Sequence, residues 1–394
     1  MGYILFDDEL IRNQLKPFTF TRPVADIRCG ILTIRDKWEL RLKTKITCLS
    51  KRYLEEIPAE TSINTYINGA VCPDKYLITE IDKLLVGECL VNDSNNVLAV
   101  RTTEKLSFPI NFQSFTKKKF YGEVSIITQL PHIFLKNGDQ IRADFRLITE
   151  RRKSQAITDP FTRVYGAETE CRPNIFVEEG ASIKSVILNA EQGPIYIGKN
   201  AIIQEGSIVI GPVSIGEGSI VVWGSKIRPN TTLGPYSKVG GEVGSSVIFG
   251  YSNKAHDGFL GASVIGEWCN LGANCNNSNL KNDYSEVKLY NYATDKLEKT
   301  GELFCGLFMG DYTKAGISTM FNTGTVVGVC SNVFGAGFQE KHIPSFMWGG
   351  ADTKYVDYRI GKALEVIRAT MARRDKQLTE KDVAILQHLH DFKK

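Results

Sequence analysis

Histidine is scarce in this chain, five in 394 residues, and the nine cysteines never form a C-x-x-C pair. Cys29, Cys48, Cys72, Cys89, Cys171, Cys269, Cys275, Cys305 and Cys330 are scattered and odd in number, which argues for reduced thiols in a cytoplasmic protein rather than a disulfide frame or a zinc site. No apolar run approaches the roughly 18 residues that span a bilayer. The opening MGYILFDDEL has Asp7 and Asp8 where a signal peptide carries a basic flank. There is also no basic run interleaved with aromatics, and a formal charge of +4 is small for this length. Neither nucleic acid nor a membrane is therefore an expected partner. An apolar share of 42% and a charged share of 23% fit an ordinary soluble protein with room for two or three domains.

What the chain does have is a period of six. Ile197, Ile203, Val209, Ile215, Val221, Ile227, Leu233 and Val239 recur at strict six-residue spacing, and Met309, Ala315, Phe321, Val327 and Val333 form a second run. Neither an α-helix nor an isolated strand pair needs such a period. A coil of short strands joined by tight corners does, with one apolar residue of each hexad pointing inward. The sequence predicts a β-helix over 175–343, interrupted by a polar loop at 281–303. Residues 1–155 lack the period and read as an α/β domain, with a strand at Tyr3 to Phe6 and a helix at Ile31 to Lys43. A polar stretch, 156–174, reads as a linker. After Pro344 the pattern turns helical through 344–394, and Thr379 with Asp382 forms an N-cap box for the last helix. These helices are expected to cover the open end of the coil.

Few segments carry chemistry. Gly193 to Asn200 imitates a phosphate-binding loop but lacks the terminal Ser or Thr, and its residues lie on the hexad register. His256 stands in a polar segment that interrupts the coil and is a candidate proton acceptor. Arg228 neighbours an inward residue and so projects outward. Downstream is a run of asparagines from Asn270 to Asn282, several of which suit left-handed corners. In the first domain, Arg22, Asp26 and Arg28 follow a first strand and precede a helix, where open α/β sheets gather ligands; an ion-paired loop that braces the domain explains them equally.

The run Gly250 to Gly261, continuing through Ile265 to Gly272 and Asn279 to Asn282, resembles the acetyltransferase region of the bifunctional GlmU enzymes. Over nearly its whole length the chain is similar to GlmU-like sugar nucleotidyltransferases of the Bacteroidetes type. The resemblance implies a nucleotidyltransferase-like domain joined to a left-handed β-helix, with acetyl-CoA as co-substrate and a homotrimeric assembly. It implies His256 as catalytic base, Asn270 and Asn279 as holders of the sugar and its amine, Arg228 at the sugar phosphate and Gly335 at the acyl carrier. The family's sugar-binding lysine near Glu242 is absent, so Lys254 is expected to supply the charge, and Phe259 replaces a tyrosine. The Gly-rich loop of the nucleotidyltransferases is missing too; only Thr21-Arg22 survives. Three readings stay open: an acyltransferase acting on an amino-sugar 1-phosphate; a nucleotidyltransferase using UTP or dTTP with Mg²⁺ at Arg22, Asp26 and Arg28; and a non-catalytic sugar-nucleotide-binding homologue.

Overall fold

The six-residue period becomes a β-helix. In the computed structural model, which describes residues 2–57, 61–166, 168–169 and 172–392, all the hexad positions named above lie in one buried apolar cluster, none more than 4% exposed. Strands pair in parallel with the strand one turn away: Ile197 with Ile215 and Ile215 with Leu233 on one face, Ile203 with Val221 and Val221 with Val239 on the second, Val209 with Ile227 on the third. Partners are 18 residues apart, so three hexads make one turn. The three faces are sheets of nine, ten and six strands. Each fully buried Ile, Val or Leu contributes about 1.5–3 kcal/mol, and the inward ladder sums many of them.

After Val239 the turns shorten. Val239 faces Lys254, 15 residues on, and Asn253 faces Asn270, 17 residues on. The polar segment 281–303 is thrown out of the coil as expected, as an antiparallel hairpin of Lys288–Asn291 and Lys296–Lys299. It is pinned down rather than free. Tyr290 stacks on His342 with ring centroids 3.4 Å apart, and Tyr292 meets the same imidazole edge-on. Burial of the imidazole pushes the His342 pKa down to about 4.

The chain divides into two compact units, one of 1–15, 21–27 and 32–130, the other of 16–20, 28–31 and 131–394. The first is built on a mixed sheet in the order Thr47–Leu49, Gly2–Phe6, Asn64–Asn68, Val97–Thr102, Glu88–Val91, Thr116–Lys119. Its helix Ile34–Leu42 starts at a Thr33–Asp36 capping box, within the helix expected from sequence. The helix Asn137–Thr149, inside the stretch read as the first domain, belongs to the coil's unit. The segment read as a linker contributes Arg163–Tyr165, a strand of the third face paired with Ile187–Asn189. Cys171 lies outside the described residues; the other eight cysteines are free and buried.

The terminal helices run over Ile360–Ala372 and Glu380–Asp391, the second with the expected Thr379–Asp382 box. The edge of the ten-stranded sheet, however, is closed by an antiparallel strand, Lys354–Asp357, laid on Met347–Gly350. That leaves the helix Ile360–Ala372 with a different place, beside the second face. Among the described residues no helix is long and apolar enough to cross a membrane.

Asn137, fully buried, is the hub of the coil's unit. Its Oδ1 accepts from the Gly30 amide at 2.7 Å and the Thr232 hydroxyl at 3.0 Å, and its Nδ2 donates to the Asn230 carbonyl at 2.9 Å. Removing it leaves buried partners unmade, each costing about 1–3 kcal/mol. Asn137→Ala is expected to lower stability by about 2–4 kcal/mol in urea unfolding, whereas Asn282→Ala at an exposed position should stay within about 0.5 kcal/mol.

Candidate functional site

The corner between Asn253–Lys254 and Phe259–Gly261 carries His256. The imidazole is exposed and, among the described residues, makes no hydrogen bond or ion pair. It opens into a cavity of about 880 Å³ that Asn270 also lines, with Asn253 and Lys314 from the same face of the coil. The far wall is the terminal helix and its C-cap, through Val366, Ala369, Thr370, Arg373 and Arg374. Arg374 reaches across to the coil, donating from Nη2 to Asn253 Oδ1 at 3.0 Å.

Arg228 and Asn279 lie elsewhere, on the outward side of the third face. There Glu242 pairs with Phe259, and Gly244 with Gly261. A Cβ on Gly244 would sit 2.9 Å from Arg228 Cβ, and one on Gly261 would sit 2.8 Å from Asn279 Nδ2 and 2.5 Å from Phe259 Cζ. The two glycines thus form the floor of a shallow strip with Arg228 at one end and Asn279 and Phe259 at the other. Arg228 Nη1 donates to Glu242 Oε1 at 3.0 Å with both side chains open to solvent, a pair worth little by itself. Within one chain, then, His256 and Asn270 come together on one face and Arg228 and Asn279 on the next, with the His256 corner between them.

Lys254 is not on either surface. It faces Val239 in the inward ladder and is 2% exposed. Its Nζ donates to the carbonyls of Gly240 at 3.0 Å and His256 at 2.8 Å, so the ammonium fastens the backbone that carries the imidazole. A lysine on the apolar side of a strand is invisible to reasoning that assigns charges outward. Gly335, expected at the acyl carrier, is not among the residues lining the cavity. It closes a turn at φ +106°, with Asp352 filling the space a side chain would need and accepting from the Ala336 amide at 2.9 Å. Of the asparagines, Asn276 and Asn277 fasten the corner, accepting from the amides of Phe259 and Gly261, while Asn274 takes the left-handed conformation, φ +57°.

The first-domain candidates serve as braces. Asp26 is held by Arg35 in a two-pronged pair, 2.6 and 2.7 Å, and Arg35 also grips Glu56. Burial pushes the Asp26 carboxyl up to about 6 although Arg35 and Arg22 pull it down. Arg22 is buried, and its carbonyl accepts from Arg12. Arg28, in the coil's unit, donates to the carbonyls of Phe249 and Ile31. A carboxylate already neutralised by a guanidinium does not fit Mg²⁺, and the neighbouring Asp7 is likewise bound to Arg12 at 2.7 Å.

One feature was missed in the sequence: Tyr236, Tyr251, Trp268 and Tyr312 take left-handed conformations, φ between 53° and 62°. The first three stack in succession with centroids 5.3 and 4.3 Å apart. Such backbone costs a non-glycine residue about 1–2 kcal/mol, which ring stacking of about 0.5–1.5 kcal/mol partly offsets. The signal was a large ring directly after Gly234-Pro235, Gly250 and Glu267, at corners where glycine or asparagine is unstrained.

Residues 3–153 match the family model described as sugar nucleotidyl transferase. The bifunctional protein GlmU of Methanocaldococcus jannaschii is 38% identical over 104 residues, 26% of this chain and 25% of that protein. That of a Methanococcus maripaludis strain is 34% identical over 138 residues, 34% of this chain and 33% of that protein. The chain therefore spans about a quarter to a third of the length of these curated relatives. Among solved structures, an Arabidopsis UDP-N-acetylglucosamine acyltransferase covers 60% of this chain and 90% of its own, at 12% identity and a TM-score of 0.25. A Campylobacter jejuni enzyme of the same description covers 57% and 96%, at 14% identity and a TM-score of 0.26. The class is that of the sugar nucleotidyltransferases with an attached hexapeptide coil. Within it the chain is GlmU-like.

Burial lowers the Lys254 pKa from the usual 10.5 to about 8, against the weaker pull of Cys275 and Asp257. Between those values the unfolded chain binds the proton and the folded one does not, so folding stability rises with pH. The contribution is complete above about 10.5 and gone once pH falls through about 8, roughly 3 kcal/mol in all. The difference in unfolding free energy between wild type and Lys254→Met is expected to change by this amount across that window; a flat difference would place the ammonium in water.

Proposed function

We propose that the chain is an acyl-CoA-dependent N-acyltransferase of nucleotide-sugar formation, acting on an amino-sugar 1-phosphate such as glucosamine 1-phosphate with acetyl-CoA. The observation that carries this reading is the partnerless His256 imidazole at the mouth of a ligand-sized cavity on a hexapeptide coil, with Asn270 on its wall. An amine attacks a thioester only when unprotonated. His256 takes the proton as the nitrogen closes on the carbonyl carbon and returns it to the departing thiolate, while backbone amides meet the oxyanion. Asn270 and Asn279 orient the amine and the sugar, and Arg228 exchanges Glu242 for the sugar phosphate.

Because Arg228 and Asn279 face a different side from the cavity, one chain presents two half-sites. A homotrimer, in which the Arg228 strip of one protomer meets the His256 corner of its neighbour, would complete them. Cytoplasmic reduced thiols suit this soluble assembly.

The match of residues 3–153 to the sugar nucleotidyl transferase model favours a second reading, uridylyl or thymidylyl transfer in the first unit with release of pyrophosphate. Its residues remain to be found, since Asp26 and Arg28 are already engaged.

Thiol release from acetyl-CoA with glucosamine 1-phosphate, run alongside pyrophosphate release from UTP or dTTP, separates the two. His256→Ala is expected to reduce thiol release by about 10²–10⁴-fold while leaving pyrophosphate release unchanged. Pyrophosphate without thiol would move the chemistry to the first unit, and silence in both would leave a sugar-nucleotide-binding homologue.

A further inference from the structure

We infer that the cavity beside His256 is a nucleotide-diphosphate site in which the C-terminal helix, through Arg373, holds the phosphates together with Lys238 and Arg374. The inference rests on the acyltransferase reading and adds to it a ligand class and residues that the family resemblance did not single out.

Its basis is the charge and shape of the lining. Lys238, Lys314, Arg373 and Arg374 line the cavity, and no aspartate or glutamate does. Four cations facing one space without an acid repel one another unless an anion enters. Two of them are spoken for in part: Lys314 donates to the Trp268 carbonyl at 2.6 Å, and Arg374 to Asn253. Lys238 and Arg373 have no hydrogen bond or ion pair among the described residues. A structural cation would have been given one.

The rest of the lining is not suited to a bare inorganic ion. Val366, Ala369, Thr370, Arg373 and Arg374 follow one stripe of the helix, so its wall changes from apolar to cationic over about 10 Å. Opposite the apolar end stands Ile317, 76% exposed, and Tyr251 from the aromatic corner also lines the space. An apolar, aromatic-edged end and a cationic end in about 880 Å³ call for a ligand that is flat and weakly polar at one end and multiply anionic at the other. A nucleoside diphosphate has that form. Two sources share it, the adenine nucleotide of an acyl carrier and the uridine diphosphate of a nucleotide sugar.

Isothermal titration of the full chain with coenzyme A and, separately, with UDP distinguishes them, using wild type, Arg373→Ala and Arg373→Lys. Arg373 is exposed, so the variants should melt as wild type does. Binding of one nucleotide, weakened about tenfold or more in Arg373→Ala, largely restored in Arg373→Lys and falling with salt, is the expected result. Coenzyme A binding alone identifies the acyl carrier, and UDP binding alone the nucleotide sugar. Failure of both to bind wild type, or affinities untouched by Arg373→Ala and Lys238→Ala, overturns the inference. Arg373-dependent binding without thiol release would sink the acyltransferase reading and keep the site. Thiol release with an unchanged KM for acetyl-CoA in Arg373→Ala, and no effect on UDP, would do the reverse.

Discussion

The inward ladder of the coil is the constraint on which the rest of its unit depends. Each turn returns an apolar side chain to the axis above the one before, Ile197 to Ile215 to Leu233, and each strand's backbone bonds are completed by the turns on either side. The chain cannot leave this register without leaving something buried unpaired. Wherever it does leave, another group must answer for the gap. From Val239 onward the turns shorten and a lysine enters the ladder, its ammonium taking the carbonyls of Gly240 and His256. The corner that results is unlike those of the regular turns, and it is there that an unpartnered imidazole reaches the surface.

This ordering explains what could be read from the residues alone. Periodicity is a property of the regular turns, so the coil, its inserted hairpin and the capping box at Thr379 were legible, since each depends on local spacing. Lys254 was misplaced because a charge was assigned to water by type, whereas the register, altered by shortened turns, points it inward. The role of the helix Ile360–Ala372 was misread for a related reason. Its buried stripe of Ala363, Leu364, Ile367 and Met371 shows that it packs against something, but a helical period says nothing about which face of a coil receives it. The cavity and the aromatic corner depend on residues brought together from turns 15 to 44 positions apart, a distance at which no local pattern survives.

The first unit obeys a different economy of charge. Its buried carboxylates, Asp7 and Asp26, are each matched by a guanidinium, and removing one member of such a pair would strand the other. These pairs therefore read as supports of the fold rather than as a reactive set. In the coil's unit, Arg28 and Asn137 do comparable work on backbone groups. The two arginines and the aspartate that stand close in sequence thus end in three different roles, which shows how little a dense polar segment says about chemistry until its partners are known.

Set against those matched charges, the cavity beside His256 is the exception. Elsewhere in the chain the buried ionic groups are satisfied by acids, carbonyls or hydroxyls; here Lys238 and Arg373 face a common space with no acid on its walls. Desolvated cations without partners destabilise the fold that holds them, so their retention beside an unpartnered imidazole is best understood as stability given up for binding. The same reasoning links the two halves of the site. Arg228 is paired with Glu242 in a solvent-exposed contact that a phosphate can displace at small cost, whereas the cavity cations wait unpaired. An incoming substrate with a phosphate at each reactant, a sugar phosphate on the strip and a nucleotide in the cavity, would neutralise both at once and bring amine and thioester to the corner where His256 stands.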